Sequence, residues 1–203
     1  MEIPKICSKQ TILIATLAGV AVLLTLVFIP SLQTPVQNYP IPITENITVP
    51  QIKEARSQLP IRLSVPILDI DSVVEYVGVN TLGEMDVPKG PTSTAWLDLG
   101  PRPGEEGSAV ISGHFGWKNN IPAVFDNLHK LKKGDKIYTT DDKGMSTTFI
   151  VRESRLYDKN ADASDVFTSD DGKAHLNLVT CQGDWNKYSQ SRPKRLVVFT
   201  DKE

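Results

Sequence analysis

The sequence predicts a mostly β domain with one or two short helices, preceded by an N-terminal transmembrane helix. Short runs of alternating apolar residues recur between turn residues from about position 60 onward, and residues 11–29 carry no charge. The chain of 203 residues has room for one domain with its own core, and its formal net charge of -2 shows no basic excess. We therefore expect no nucleic-acid partner.

The uncharged N-terminal segment has the length of a membrane span. As a helix it would extend about 28 Å at ~1.5 Å per residue, close to a hydrocarbon core of ~30 Å. Lys5 and Lys9 precede it and residues 31–44 carry no charge, so the positive-inside rule puts the N-terminus in the cytoplasm. The alternatives are a buried soluble helix and a cleaved signal peptide. The length of the segment and the absence of an A-x-A-like site near Pro30 favour an uncleaved anchor.

These features divide the chain into four parts. We expect a cytoplasmic N-terminus at 1–10, a transmembrane anchor at 11–30, an extracytoplasmic proline-containing stalk at 31–59 and a globular domain at 60–203. The protein is then a single-pass membrane protein whose globular domain lies outside the cell.

Six segments of the globular domain are typical of strands. They are RLSVPILDI, SAVISGH, KIYTT, TTFIVRE, HLNLVTC and RLVVFT. In the first, Leu63, Val65 and Ile67 are expected on one face, and the Asp-Asp-Lys-Gly at 141–144 is a hairpin turn signal. A closed or nearly closed antiparallel barrel would protect the edges of so many short strands.

One helix is predicted in the segment NNIPAVFDNLHKLKKGD at 119–135. Its start has asparagines that can cap a helix and a proline in the first turn, and a glycine follows lysines at its end. The apolar residues recur at the spacing of one helix face: Ile121, Val124, Phe125, Leu128 and Leu131.

The two cysteines, Cys7 and Cys181, cannot pair within one chain if the anchor separates them across a membrane. No second cysteine or close histidine pair supplies the usual spacing of a zinc site. An unpaired cysteine is uncommon in an exported domain. Cys181 is therefore either a buried inert thiol or a reactive one.

A reactive thiol needs a nearby base or cation, because at neutral pH only a few per cent of free thiols are ionised. His175 belongs to the strand of Cys181 but lies roughly 20 Å away at ~3.3 Å per residue. His129 falls off the apolar stripe of the predicted helix and is expected at the surface. His114 follows the apolar run SAVIS and has a glycine on each side, at 113 and 116. Binding and catalytic residues often lie where a strand passes into a loop, so His114 is the candidate partner. An ordinary loop histidine is the alternative.

An anion that forms when a thiolate attacks a carbonyl needs a fixed donor. Two arginines precede the last apolar run. Arg192 comes before a proline and is expected in a loop, whereas Arg195 opens the strand. If that strand pairs antiparallel with the strand of Cys181, the loop 182–194 brings Arg195 back beside the thiol.

Together these residues resemble the sortase family of cysteine transpeptidases from about residue 60 to residue 200. The family's T-L-x-T-C strand end is similar to LNLVTC, in which Leu178, Thr180 and Cys181 match and Asn177 differs. The glycine and His114 after an apolar strand, and the arginine at 195, match as well. Further similar stretches are PIRLSVPILDIDSVVEYVGV, GEMDVPKGPTSTAWLDLGPRPGEEGSAVISGH and VFDNLHKLKKGD. The arrangement looks closest to class F, with classes E and D as near alternatives.

The resemblance implies an eight-stranded β-barrel and a membrane-anchored transpeptidase. Cys181 would attack the threonine carbonyl of a sorting motif such as L-P-x-T-G in a surface protein, and an amine acceptor of the cell envelope would resolve the thioester. It implies that His114 acts as general acid and base and that Arg195 stabilises the oxyanion. Thr180 would lie near the bound peptide and contribute to substrate binding.

No cofactor is expected. Asp158, Asn160 and Asp162 form a D-x-N-x-D fragment of a calcium loop, and some members of the family bind calcium. Ala163 replaces the usual glycine and Ser169 the usual glutamate, so most of the bidentate coordination is missing. A solvated acidic loop is the expectation.

The sequence is compatible with two rival functions. Another cell-wall cysteine enzyme is disfavoured, because an L,D-transpeptidase would need an S-H-G-C element and a papain-like hydrolase usually places its cysteine before its histidine. A tethered barrel that binds without catalysis is the other alternative. The presence of His114, Cys181 and Arg195 together argues against it.

Overall fold

The structure, a computed structural model, describes residues 58–203 and forms one closed β-barrel. Its strands are β1 (Pro60–Val65), β2 (Ile70–Val77), β3 (Thr94–Leu97), β4 (Gly107–Gly113), β5 (Lys136–Asp141), β6 (Ser146–Asp158), β7 (Ala174–Gln182) and β8 (Lys194–Lys202). Around the barrel they follow the order β1-β2-β3-β4-β7-β8-β6-β5. The mostly β fold and the eight-stranded barrel are confirmed.

The predicted anchor at 11–30 and nearly all of the predicted stalk at 31–59 lie outside the described residues. Between residues 58 and 203, no helix combines the length and the apolar character that a membrane span requires. The anchor and its orientation stay predictions.

The expectation of an antiparallel barrel holds for most strand pairs but is wrong for two. β2 pairs with β3, and β4 with β7, in parallel. Parallel neighbours need a long crossover, and the chain between β4 and β7 supplies one by building β5 and β6 on the far side of the barrel. As a result, β4 and β7 both end at the same rim.

The first predicted strand, RLSVPILDI, contains most of β1, a tight turn and only the first residue of β2. Leu63 and Val65 are buried in β1, as expected, but Ile67 lies in a 3₁₀ turn at Pro66–Leu68 and is 64% exposed. Pro66 has no N–H to donate to a strand ladder, so β1 ends before it. Asp69, with φ of 53°, then turns the chain back into β2.

The helix predicted at 119–135 is absent. The chain instead forms two short 3₁₀ turns, at Lys118–Asn120 and Leu128–Lys130. Within residues 58–203 the one α-helix is α1 (Ser164–Phe167), which the sequence pattern did not indicate.

The backbone of the predicted helix bonds to other parts of the domain. The Val124 N–H donates to the Pro91 carbonyl at 2.8 Å and the Phe125 N–H to the His114 carbonyl at 3.0 Å. Phe125 and Leu128 are fully buried against the barrel from this loop. The helix-like spacing of these apolar residues therefore reflects their burial in a loop. The segment does not form a helix because its tertiary hydrogen bonds outweigh a weak helix propensity.

The strands β7 and β8 are buried on both faces. Leu176 and Leu178 belong to the apolar cluster inside the barrel, whereas Val179 and Val197 belong to a second cluster outside it, covered by α1. Side chains alternate along a strand, so residues of β7 at odd positions such as 179 and 181 face outward. The barrel thus presents Cys181 on its outer surface at the rim.

Candidate active site

Cys181 occupies the second-last position of β7, and its side chain is a half-buried free thiol. It shares the outer face of the strand with Val179. The residue is partly exposed, which excludes the fully buried cysteine that the sequence left open.

Arg195 lies directly opposite Cys181 in the antiparallel ladder between β7 and β8. Residues opposite each other in such a ladder project from the same face with Cβ atoms about 4.5–5.5 Å apart. The predicted antiparallel pairing is confirmed.

The guanidinium of Arg195 is held in a fixed arrangement. It is 2% exposed. Its Nη1 donates to the carbonyls of Arg192 and Lys194, both at 2.9 Å, and its Nη2 contacts the Ser191 hydroxyl at 3.4 Å. A buried cation with these partners keeps one orientation without help from solvent.

His114 is the first residue after β4. The parallel register between β4 and β7 includes Ser112 opposite Val179, and extending it by two residues brings His114 level with Cys181. The three candidate catalytic residues therefore lie at one rim, on the neighbouring strand ends β4, β7 and β8. Their catalytic roles stay predictions.

The imidazole of His114 has two packing partners. Its Nε2 lies 2.8 Å from the Pro88 carbonyl oxygen, and its ring centre lies 4.6 Å from that of Trp117 at a 59° angle. A carbonyl oxygen only accepts hydrogen bonds, so Nε2 must carry a proton in this contact. Nδ1 is then the nitrogen that can exchange a proton.

Pro88 is itself held by a carboxylate on β2. Glu75 accepts the Ser93 hydroxyl at 2.5 Å and the Lys89 N–H at 3.2 Å, and that N–H belongs to the same peptide group as the Pro88 carbonyl. Sequence reasoning missed Glu75 and Pro88 because they carry no motif and precede His114 by a long interval. Trp117 was visible as an aromatic residue close to the histidine, but no pattern assigned it a contact.

Thr180 faces the opposite side of β7 from Cys181 and is buried. Its hydroxyl donates to the Gly113 carbonyl at 2.8 Å, which ties the end of β7 to the end of β4. This bond fixes the relative position of the strand ends that carry Cys181 and His114. The substrate-binding role of Thr180 stays a prediction.

The other two histidines lie where the sequence placed them, away from the thiol. His129 is exposed in the loop before β5. His175, at the start of β7, is buried between two carboxylates: Asp201 at 2.8 Å from Nδ1 and Asp171 at 2.9 Å from Nε2. The hydrogen bond from His175, followed by that from the Lys173 N–H, holds the pKa of Asp171 well below its usual range.

The acidic fragment at 158–162 has protein partners for both of its carboxylates. Lys194 contacts Asp158 at 2.6 Å, and Asp162 accepts the Ser164 N–H at 3.0 Å, which lowers the pKa of Asp162. In the part of the chain from 58 to 203, no cluster of three or more histidine, cysteine or acidic side chains has an arrangement that would hold a metal ion.

The arrangement combines three chemical capacities. The accessible thiol of Cys181 can act as a nucleophile. Arg195 presents a permanent positive charge beside it, and such a charge stabilises an oxyanion that forms during acyl transfer. His114 adds a ring nitrogen that can give or take a proton. Together they suit acyl transfer through a thioester.

Solved structures with the same fold include several sortases. Sortase C-1 from Actinomyces oris has a TM-score of 0.56 at 21% identity, covering 70% of this chain and 72% of that one. A lid mutant of sortase A from Corynebacterium diphtheriae has a TM-score of 0.55 at 23% identity, covering 75% of each chain. Sortase C2 of pilus island 1 from Group B Streptococcus has a TM-score of 0.54 at 21% identity, covering 73% of this chain and 75% of that one. At these identities the likeness shows the fold alone.

The assignment to a family rests on the sequence. No curated protein sequence matches the chain significantly. The profile of the sortase domain matches residues 63–203, which is well over half of the chain and includes β1 to β8 almost entirely. The chain therefore belongs to the sortase family, a family of cysteine transpeptidases.

Proposed function

We propose that the protein cleaves an L-P-x-T-G-like sorting motif through a thioester on Cys181 and transfers the acyl chain to an amine acceptor of the cell envelope. In this way it attaches proteins to the cell surface. The observation that carries the proposal is the register pair of Cys181 and Arg195, with His114 at the adjacent strand end. Membership of the sortase family supports the same reaction.

In the first half of the reaction, the Cys181 thiolate attacks the carbonyl carbon of the motif threonine. Negative charge develops on the carbonyl oxygen, and the guanidinium of Arg195 stabilises it. The bond between carbon and the glycine nitrogen then breaks as His114 gives its proton to the leaving amine. The products are an acyl thioester on Cys181 and a released glycine-side fragment.

In the second half, the acceptor amine attacks the thioester carbonyl. His114 takes a proton from the amine, an amide bond forms, and the Cys181 thiolate leaves. Because Nε2 of His114 is occupied by the Pro88 carbonyl, Nδ1 is the nitrogen that carries the proton in both halves. Thr180 is buried on the opposite face from Cys181, so it contributes to binding of the motif peptide indirectly: its hydroxyl bond to the Gly113 carbonyl holds the ends of β7 and β4 together.

The proposed cellular location follows from the sequence. Residues 11–30 anchor the protein in the membrane with residues 1–10 in the cytoplasm and the barrel outside. Membership of class F, rather than E or D, is proposed on the stretches that flank the histidine and the cysteine.

The experiment is intact-mass spectrometry of the full-length protein in detergent, incubated with a pool of L-P-x-T-G-like peptides. We expect a covalent adduct that peptide mapping assigns to Cys181 and that hydroxylamine or an added amine removes. Cys181→Ala should lose the adduct but unfold near the parent temperature, because a half-buried thiol at a strand end contributes little packing. Cys7→Ala is the matched control and should retain the adduct.

Two results would contradict the proposal. One is an undiminished adduct on Cys181→Ala, which would place the nucleophile elsewhere. The other is no adduct with any peptide from folded protein whose Cys181 still reacts with an alkylating reagent. That result would favour a tethered barrel that binds without catalysis.

A further inference from the structure

We propose that Arg192 is a positioning residue that holds the loop carrying His114 against the loop that follows Cys181. The reasoning rests on the proposed function for the roles of His114 and Cys181. Arg192 lies outside the family's histidine, cysteine and arginine motifs.

The first contact of Arg192 is with the loop after the cysteine. Its Nη1 donates a hydrogen bond to the carbonyl oxygen of Gly183, two residues beyond Cys181. Gly183 has φ of 92°, and a Cβ built there would lie 3.0 Å from the ring of Pro193. The chain therefore turns directly over the segment of Arg192 and Pro193, with the guanidinium bonded to the turn.

The second contact is with the loop after the histidine. The guanidinium carbon of Arg192 lies 4.8 Å from the ring centre of Phe115, the residue that follows His114. At the next residue, a Cβ built on Gly116 would lie only 2.5 Å from Nη2 of Arg192. A side chain at 116 would collide with the guanidinium, so the close approach depends on glycine at this position.

The loop that Arg192 contacts is braced from its other side. The Asp126 carboxylate accepts the Gly116 N–H at 2.6 Å, and the Phe125 N–H donates to the His114 carbonyl at 3.0 Å. These two hydrogen bonds tie Phe115 and Gly116 to the backbone of His114, so a displacement of Phe115 or Gly116 is expected to shift His114 as well.

Arg192 is also joined to the candidate oxyanion residue. The Nη1 of Arg195 donates to the Arg192 carbonyl at 2.9 Å. Arg192 therefore contacts, through its side chain and backbone, the segments of all three candidate catalytic residues. A planar guanidinium can bond the Gly183 carbonyl and stack on Phe115 at the same time, which the single ammonium of lysine cannot reproduce.

Loss of the Arg192 side chain should change the relative positions of the reacting groups rather than the affinity for the peptide. Losing the bridge lets the two loops move apart, and small displacements of reacting groups cost large factors in rate. We expect Arg192→Ala and Arg192→Lys to lower kcat for thioester formation by about 10-fold with KM changed less than about 2-fold. Lys187→Ala removes a positive charge from the same loop at an exposed position and should leave kcat unchanged.

The test uses the full-length protein with an L-P-x-T-G-like peptide and measures single-turnover acylation, alongside the unfolding temperature. A double-mutant cycle with Phe115→Leu separates bridging from simple destabilisation. If Arg192 acts through Phe115, the double variant loses no more kcat than Arg192→Ala alone. Hydrogen exchange of residues 114–126 gives a readout that needs no activity, and Arg192→Ala should accelerate exchange there.

The outcomes distinguish this proposal from the proposed function. Unchanged kcat and unchanged hydrogen exchange in a folded Arg192→Ala variant would overturn the bridge while leaving the transpeptidase intact. Full activity of Arg192→Lys would also overturn it, because charge alone would then suffice. If the parent forms no thioester, the proposed function fails, and accelerated exchange at 114–126 would still establish the bridge.

Discussion

Cys181 and Arg195 occupy directly opposed positions in the ladder between β7 and β8. Thirteen residues, 182–194, separate them in the sequence, yet the antiparallel register puts both side chains on the outer face of the barrel. A cation that is buried beside an accessible thiol favours a negative charge at that point of the rim. This relationship carries the first prediction.

Replacing Arg195 with alanine should reduce kcat/KM for thioester formation by about 10²-fold or more, because the oxyanion loses its charged donor. Arg195→Lys should retain part of the kcat/KM that Arg195→Ala loses, because lysine keeps the positive charge but lacks the planar guanidinium with its several donor nitrogens. Acylation of a motif peptide followed by mass spectrometry checks both variants. Arg62→Ala on β1 is the control, because Arg62 is exposed and paired with Asp71. A folded Arg195→Ala variant with the parent rate would refute the role.

The second prediction concerns Glu75. Its carboxylate accepts the Ser93 hydroxyl and the Lys89 N–H, which shares a peptide group with the Pro88 carbonyl, and that carbonyl accepts the proton of His114. Glu75→Ala should lower kcat by about 10-fold through misplacement of the imidazole. Glu75→Gln should retain most of the activity, because an amide can accept from Lys89 and donate to Ser93.

The control for that series is Glu106→Ala, which removes an exposed carboxylate before β4. Equal losses in the alanine and glutamine variants would mean that the charge of Glu75, and not its hydrogen bonds, matters. A parent-like Glu75→Ala variant would show that the Pro88 segment keeps its position unaided.

The third prediction concerns the glycine before His114. A Cβ on Gly113 would lie 2.5 Å from the fully buried ring of Phe125 and 2.8 Å from Val124. Gly113→Ala should therefore reduce the free energy of unfolding by about 1–3 kcal/mol through overpacking. Urea unfolding measures the change. Gly78→Ala is the matched control, since no atom lies within 4 Å of its Cβ position, and it should not destabilise the fold.

The fourth prediction concerns pH and the far end of β7. The bond from His175 lowers the pKa of Asp171 in the folded state, so the ionised carboxylate stabilises the fold above its unfolded pKa of about 3.9. This stabilisation is lost as the pH falls through the lower folded pKa. Asp171→Asn should therefore be less stable than the parent at neutral pH, and the difference should shrink on acidification below about pH 4.

Urea unfolding of the two proteins from about pH 7 to about pH 3 checks this dependence. Asp170→Asn makes the same charge change at the exposed neighbouring position and should follow the parent across the range. A difference for Asp171→Asn that stays constant down to the lowest pH would show that the carboxylate charge is not responsible.

Alternation of apolar residues was sufficient to predict most strands. The segments that became β4, β5, β6, β7 and β8 each carried the signal of a half-buried or fully buried strand. β3 was missed because its four residues are buried on both faces and show no alternation, and β2 apart from Ile70 also lay outside the predicted strands. The helix at 119–135 was wrong because the same apolar spacing arises when a loop buries Phe125 and Leu128 in the barrel.

The sequence by itself determined the candidate residues: one cysteine and one histidine at strand ends and one arginine opening the last strand. Residue type and position along a strand are local properties, so they can be read from a chain. The tertiary structure alone decided how these residues meet. Strand register puts Arg195 opposite Cys181, and the parallel pairing of β4 with β7 brings His114 level with them. The contacts of Glu75 and Arg192 depend on loops folded over the rim, and such long-range hydrogen bonds leave no periodic signal in a sequence.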